Sequence, residues 1–330
     1  MRPADFAPHP LLRNAHVQSV LGSSPLRRGL ALRRARHLER HAQSVILEAG
    51  GGVRLAGYRT VQDARPQARG LAVLLHGWEG SARSNYILQT GARLLAEGWD
   101  VFRLNFRDHG DTHHLNRELF HSCRIDEVVG AVAELARRFP SPALALAGFS
   151  LGGNFALRVA LRAPAAGIPL RCAVAVCPVV DPHAGLAALE RGPRFYHDYF
   201  MLKWRQSLKR KQALFPQECY FEPKELAQDM RGLTRILVER HTPFGSLERY
   251  LDGYSIAGDR LSGLVVPVSI LTAADDPVIP VADFRRLALP PEAELDIAPY
   301  GGHCGFLRDF RLASYAEDYV AARLTRAAGD

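Results

Sequence analysis

The chain has 330 residues, a formal net charge of +8, and 47% hydrophobic against 23% charged residues. That balance excludes a disordered or collagen-like polymer, and no apolar stretch approaches the ~18 residues of a membrane span. A soluble, cytoplasmic globular protein is expected, long enough for one α/β core carrying an insertion.

Residues 1–43 read as an irregular arm packed on the core. Its one distinctive knot, Asn14 to Ser19, sets His16, Gln18 and Ser19 among Leu11, Leu12, Val17, Val20 and Leu21 and reads as structural. Met1 to Ser24 lacks the continuous apolar region of a secretory signal. The first fifty residues hold eight arginines, Arg2 and the Arg33-Arg34-Arg36 cluster among them, against three carboxylates, Asp5, Glu39 and Glu48. Aromatics do not interleave with them, so no nucleic-acid partner is expected. A solvated basic face is the reading, and it allows weak peripheral contact with an anionic membrane. The five cysteines are scattered and odd in number, which predicts reduced thiols and no zinc site.

Glycines 50–52 separate two β-prone runs, Ser44–Glu48 and Val53–Tyr58, as in a hairpin. Strand and helix then alternate. Leu71–Leu75, Val101–Asn105, Ala143–Ala147 and Arg171–Val176 read as strands, with helices over Ala82–Gly98, Ser122–Phe139 and Asn154–Leu161 between them. From Asp181 to Ser262 no short β run occurs. Val266–Thr272 and Glu294–Ala298 then restore strands, and Phe310–Leu324 reads as a closing helix. The expectation is a mostly parallel sheet with helices on both faces. It divides into an arm over 1–43, a core over 44–180 and 263–330, and a helical cap insertion over 181–262.

Within the insertion Tyr196, Phe200, Trp204 and Leu208 recur every fourth residue, and Lys203, Arg205, Lys209, Arg210 and Lys211 surround and follow them. One reading makes this stripe a lid over an acyl-chain pocket, with Phe200 and Trp204 facing substrate. The other makes it a helix packed on the core with a solvated basic end.

At the junction of an apolar strand and a helix stands Gly148-Phe149-Ser150-Leu151-Gly152, a G-x-S-x-G pattern. A tight strand-to-helix turn exposes the serine oxygen and aims a helix N-terminus at it, so the Leu151 N–H becomes an oxyanion donor. A serine needs a histidine base, and the histidine needs a carboxylate. Asp276 and His303 follow the two later strands in the order expected after such a turn. Asp276 is preferred over Asp275, which reads as a turn or capping residue. His303 is flanked by glycines that leave its ring room to swing over Ser150, and Cys304 beside it reads as packing. After the strand Leu71–Leu75 comes His76-Gly77-Trp78-Glu79-Gly80, whose Trp78 N–H would be the second oxyanion donor. His76 orients this loop or borders the pocket. No metal or organic cofactor is expected.

These motifs, together with Asn105-Phe106-Arg107 and the Asn14 to Ser19 knot, resemble the α/β-hydrolase superfamily and within it the YheT-like branch (AB hydrolase 4 family), grouped with eukaryotic abhydrolase-domain lipid hydrolases. The resemblance spans nearly the whole chain. It implies a Ser150-Asp276-His303 triad acting through an acyl-enzyme on small-molecule carboxylic esters, with short-chain or lipid acyl groups. Some relatives transfer acyl groups to alcohols, so an acyltransferase or thioesterase is the alternative, and a catalytically idle binding protein a further one. After Arg107 the family usually continues with small residues, whereas the run from Asp108 to Thr112 here is polar, and Asp108 or His109 is a candidate to reach the pocket mouth. Phe149 also joins the pocket candidates.

Overall fold

A computed structural model of the protein describes residues 6–329. Arg2 and Asp5 of the N-terminal charge balance lie outside them. The arm is not irregular but helical, with α1 (Ala15–Gly22), α2 (Pro25–Arg34) and α3 (Arg36–Arg40). Its start signals are short: the Asn14 side chain accepts the N–H groups of His16 and Val17, and Ser24 caps α2 just before Pro25. Such caps stabilise a helix by about 1 kcal/mol, and a Pro at the first helical position sacrifices only an orphan donor.

The sheet runs β1 (Gln43–Glu48), β2 (Arg54–Thr60), β4 (Asp100–Leu104), β3 (Leu71–Leu75), β5 (Leu144–Phe149), β6 (Leu170–Val176), β7 (Val268–Ala273), β8 (Ala293–Ala298) in space. The expected hairpin β1–β2 is antiparallel and joins β4 antiparallel, while every pairing from β4 to β8 is parallel. Every residue of β3, β5 and β7 is buried, because a parallel sheet covered on both faces leaves no side to water. Edge strand β1 instead alternates over its second half, with Val45 and Leu47 buried between exposed neighbours.

Along β3, Leu71, Val73 and Leu75 join one core and Ala72 and Leu74 the other. Helix α4 (Asn85–Ala96) packs on the second face, and α5 (Ile125–Arg138) with α6 (Leu151–Arg162) on the first. Between β6 and β7 the chain forms α7 (Pro182–Arg191), α8 (Arg194–Leu214), α9 (Pro223–Leu226), α10 (Met230–His241) and α11 (Leu247–Tyr254). Trp204 and Leu208 of α8 meet Leu233 and Leu237 of α10 and Tyr250 of α11 in a core of their own. Helix α12 (Val281–Arg285) lies between β7 and β8, and α13 (Tyr315–Ala328) closes the fold beside α4. Among the described residues no helix is long and apolar enough to cross a membrane.

The basic end of α8 is not wholly solvated. Lys211 is fully buried, and its ammonium donates to Asp108 Oδ1 at 2.7 Å and to the carbonyls of His113 and Asn116. This buried pair fastens the helical insertion to the loop after β4.

Candidate active site

Ser150 sits between β5 and α6 at φ 54°, ψ −120°, a conformation that costs a non-glycine residue on the order of 1–3 kcal/mol. Packing enforces it. A Cβ on Gly148 would lie 2.0 Å from the Gly152 carbonyl oxygen, and one on Gly152 would lie 2.4 Å from the carbonyl oxygens of both Leu75 and His76. The Ser150 N–H is meanwhile bonded to the Val176 carbonyl at 2.8 Å. The side chain is therefore lifted off the strand edge with its backbone fixed.

The loops after β7 and β8 open on the same edge. Asp276 is sealed from solvent; its Oδ1 accepts the N–H groups of Val278 and Ile279 at 2.8 and 3.0 Å, leaving Oδ2 aimed at His303 Nδ1, 2.9 Å away. His303 Nε2 lies 2.9 Å from Ser150 Oγ. Burial pulls the His303 pKa down, but the Asp276 charge, Cys304 and the Asp276 hydrogen bond outweigh it and carry it up to about 9. Asp275 faces elsewhere: its Oδ1 accepts the Gly302 N–H at 2.9 Å and so pins the neighbouring loop.

Helix α1 reaches into this loop, a contact the sequence reading missed. Ser19 Oγ accepts the His303 main-chain N–H at 2.8 Å, and Gln18 accepts the Leu307 N–H at 2.6 Å while donating to the Leu307 carbonyl at 3.0 Å. Gly302 has φ +54°, and a Cβ there would stand 2.3 Å from the Ala15 carbonyl oxygen. That glycine is required by the close approach of α1, rather than by room for the His303 ring. The only sequence signal was a cluster of polar residues in an otherwise apolar stretch.

The loop after β3 is held from behind by two histidines. His76 Nδ1 lies 2.8 Å from the Gly77 carbonyl, and its Nε2 accepts the Phe106 N–H at 3.2 Å; His109 Nδ1 lies 2.7 Å from the Arg107 carbonyl, and its Nε2 accepts the Glu79 N–H at 3.2 Å. A carbonyl only accepts and an amide only donates, so each ring is neutral with its hydrogen on Nδ1. Burial agrees, pushing His76 well below the usual imidazole range and His109 to about 4. The Gly77 N–H is taken by the Tyr86 hydroxyl at 2.9 Å. The Trp78 N–H between these positions has no acceptor among the described residues, and Leu151, first residue of α6, has no intrahelical one.

Two cavities meet at Ser150. One of about 560 Å³ is bordered by Trp78, Asp108, His109, Phe200 and His303; the other, about 130 Å³, is bordered by Trp78, Leu151, Phe200, Trp204 and Ile279. Of the pocket candidates, His76 and Phe149 border neither. His76 is spent on the loop clasp, and Phe149 is buried against Tyr86 with ring centroids 4.8 Å apart. Alternation along β5 puts Phe149 with Ala145 and Ala147 in the second core.

The ligand atoms of Cys177, His303 and Cys304 all lie within 4.8 Å of one another. Both nitrogens of His303 already face Asp276 and Ser150, so a metal at this trio would break one of those contacts.

A serine on a strained strand-to-helix turn, facing a histidine and a carboxylate from later strands of the same parallel sheet, is the arrangement of one class of proteins, the α/β hydrolases. The chain belongs to the Alpha/beta hydrolase family, whose profile matches residues 72–318. It is similar to the putative esterase YheT of Escherichia coli, 28% identical over 92% of this chain and 87% of that protein. It is also similar to the embryogenesis-associated protein EMB8 of Picea glauca, 25% identical over 90% of this chain and 66% of that one. Among solved structures, an esterase of Pyrococcus furiosus shares the fold with a TM-score of 0.59 at 17% identity, covering 87% of this chain and 91% of that chain.

Proposed function

We propose that the protein is a serine hydrolase of carboxylic esters, with short-chain or lipid acyl groups, in which Ser150, His303 and Asp276 are the catalytic residues. The observation that carries this is the continuous path from Ser150 Oγ through both nitrogens of His303 to Asp276 Oδ2, 2.9 Å at each step. The esterase designation of the Escherichia coli relative supports it.

In this reading neutral His303 removes the Ser150 proton through Nε2 as Oγ attacks the ester carbonyl carbon. The carbonyl oxygen becomes an oxyanion held by the N–H groups of Trp78 and Leu151, each such donor contributing a factor of about 10²–10³. The intermediate collapses as His303 returns the proton to the departing alcohol, leaving an acyl group on Ser150. Water, activated by the same histidine, releases the acid. Asp276 holds the ring orientation and stabilises the imidazolium. Residues 181–262 act as a cap whose Phe200 and Trp204 face the acyl group.

The test is intact-mass analysis after treatment with a fluorophosphonate probe, followed by a panel of p-nitrophenyl esters. One adduct on the wild type and none on Ser150→Ala is expected, with turnover in the variant reduced by about 10³-fold or more. A folded wild type that takes no adduct and cleaves no ester would overturn the reading.

A further inference from the structure

The two cavities at Ser150 have opposite walls. The smaller is lined by apolar side chains such as Leu186, Leu189, Trp204, Val278 and Ile279. The larger carries four basic side chains, Arg28, Arg83, Lys203 and Arg210, against two carboxyls, Glu79 and Asp108. Trp78 and Phe200 border both cavities and stack at 5.5 Å with 18° between their planes, forming the boundary.

Resting on the ester-hydrolase reading, we propose that the larger cavity binds the alcohol portion of an ester bearing an anionic group, a phosphate or a carboxylate, while the smaller takes a short apolar acyl chain. His303 assigns the two arms. It borders the larger cavity and not the smaller, and the departing alcohol must lie on the side of the histidine that protonates it. The acyl chain then falls to the apolar side, where an unpaired anion would bear the full cost of desolvation.

The charges in the larger cavity are not all spent internally. Arg83 is matched by Glu39 at 3.1 Å, Arg210 by Asp111 at 3.0 Å and Asp108 by Lys211 at 2.7 Å. Lys203 and Arg28 form no ion pair among the described residues. The Lys203 ammonium donates to the Glu79 carbonyl at 2.8 Å, and the Arg28 guanidinium to the Arg83 carbonyl. Both keep donors to spare, since an ammonium carries three and a guanidinium five and each spends one on these carbonyls. Burial also raises the Glu79 carboxyl to about 8, against the pull of Lys203, so at neutral pH it is largely uncharged and does not repel an anion. Lys203 comes from α8 and Arg28 from α2, so the two cations reach the cavity from different parts of the chain and can be removed separately.

The experiment compares kcat/KM for glyceryl monobutyrate, its phosphate monoester, propyl butyrate and 3-butyryloxypropanoate, with p-nitrophenyl butyrate as a general ester control. Wild type, Lys203→Gln and Arg28→Gln are measured on each. The wild type is expected to prefer the anionic member of a pair by roughly tenfold or more, the scale of one charge-assisted hydrogen bond. Each substitution lowers that ratio several-fold, and about 0.5 M salt lowers it in the wild type by screening. The phosphate and carboxylate pairs tell which anion is taken. A wild-type ratio at or below one in both pairs, or a ratio unchanged in both variants, overturns the inference while p-nitrophenyl butyrate hydrolysis leaves the ester reading standing. Failure to cleave any of the five esters overturns both.

Discussion

The hydroxyl of Ser19 accepts the main-chain N–H of His303 at 2.8 Å, joining helix α1 to a loop 284 residues further on. Ser19 in turn donates to the Ala15 carbonyl at 2.8 Å, so its oxygen is oriented before it meets His303. The N-terminal arm thus anchors the backbone that carries His303.

Ser19→Ala leaves a part-buried N–H without an acceptor, a loss of about 1–3 kcal/mol. Part of it is expected in the His303 loop, so kcat on p-nitrophenyl butyrate falls roughly tenfold with KM little changed. Ser19→Thr, which keeps the oxygen, restores most of the rate. Equal losses of kcat in both variants, with matched melting temperatures, would contradict a positioning role.

On the proposed assignment of the base, the pH dependence of activity follows from His303. Its folded pKa is raised to about 9, and only the neutral ring can accept the serine proton. The fraction of competent enzyme therefore rises with pH, and the acid limb of kcat/KM lies above the ~6.5 of an unperturbed imidazole. Asp276→Asn removes the charge that raises it, so in that variant the residual activity shows a limb shifted to lower pH. A wild-type limb at or below the unperturbed value, with chemistry limiting, contradicts the upward shift of His303, and a rate flat from about pH 5 to 8 contradicts a histidine base.

Stability should respond to pH in the opposite sense from a salt-bridged histidine. Burial first of all depresses His109 to about 4 and His113 and His121 to about 3. Above the unfolded value of ~6.5 neither state binds these protons. As pH falls below it the unfolded chain takes them up and the folded one does not, so stability drops through the window from ~6.5 toward 4 and below. The slope approaches about 1.4 kcal/mol per pH unit for each such histidine, and Glu79, whose carboxyl burial raises to about 8, offsets the slope of one of them because the folded chain binds that proton first. Urea unfolding at several pH values checks it, and a midpoint constant from pH 7 to 5 would contradict it.

Lys211 and Asp108 form a buried pair that joins α8 to the loop after β4. Lys211→Met strands the Asp108 carboxylate and is expected to cost about 3–5 kcal/mol. Lys211→Met combined with Asp108→Asn removes the stranded charge and recovers much of that loss. Thermal melts of the two singles and the double give the coupling, and additive losses would show that the pair does not tie the two elements together.

The alternation of strand and helix and the glycine-flanked turn that lifts Ser150 were legible in the residue pattern alone. These depend on residues close along the chain: strand and helix periods are written in neighbouring side chains, and Gly148 and Gly152 act within four residues of each other. The placement of Asp276 and His303 after successive strands was legible for the same reason, since parallel strands present their following loops on one edge. Packing, not local pattern, makes Asp275 pin the next loop, sets His76 and Phe149 behind the cavities, and buries Lys211 rather than leaving it solvated. It alone brought Ser19 to His303 and placed His303 on the basic side of Ser150. Such contacts join groups far apart along the chain, and which side chains meet there is fixed by how packed layers exclude water and satisfy buried polar groups, a condition that local sequence pattern does not encode.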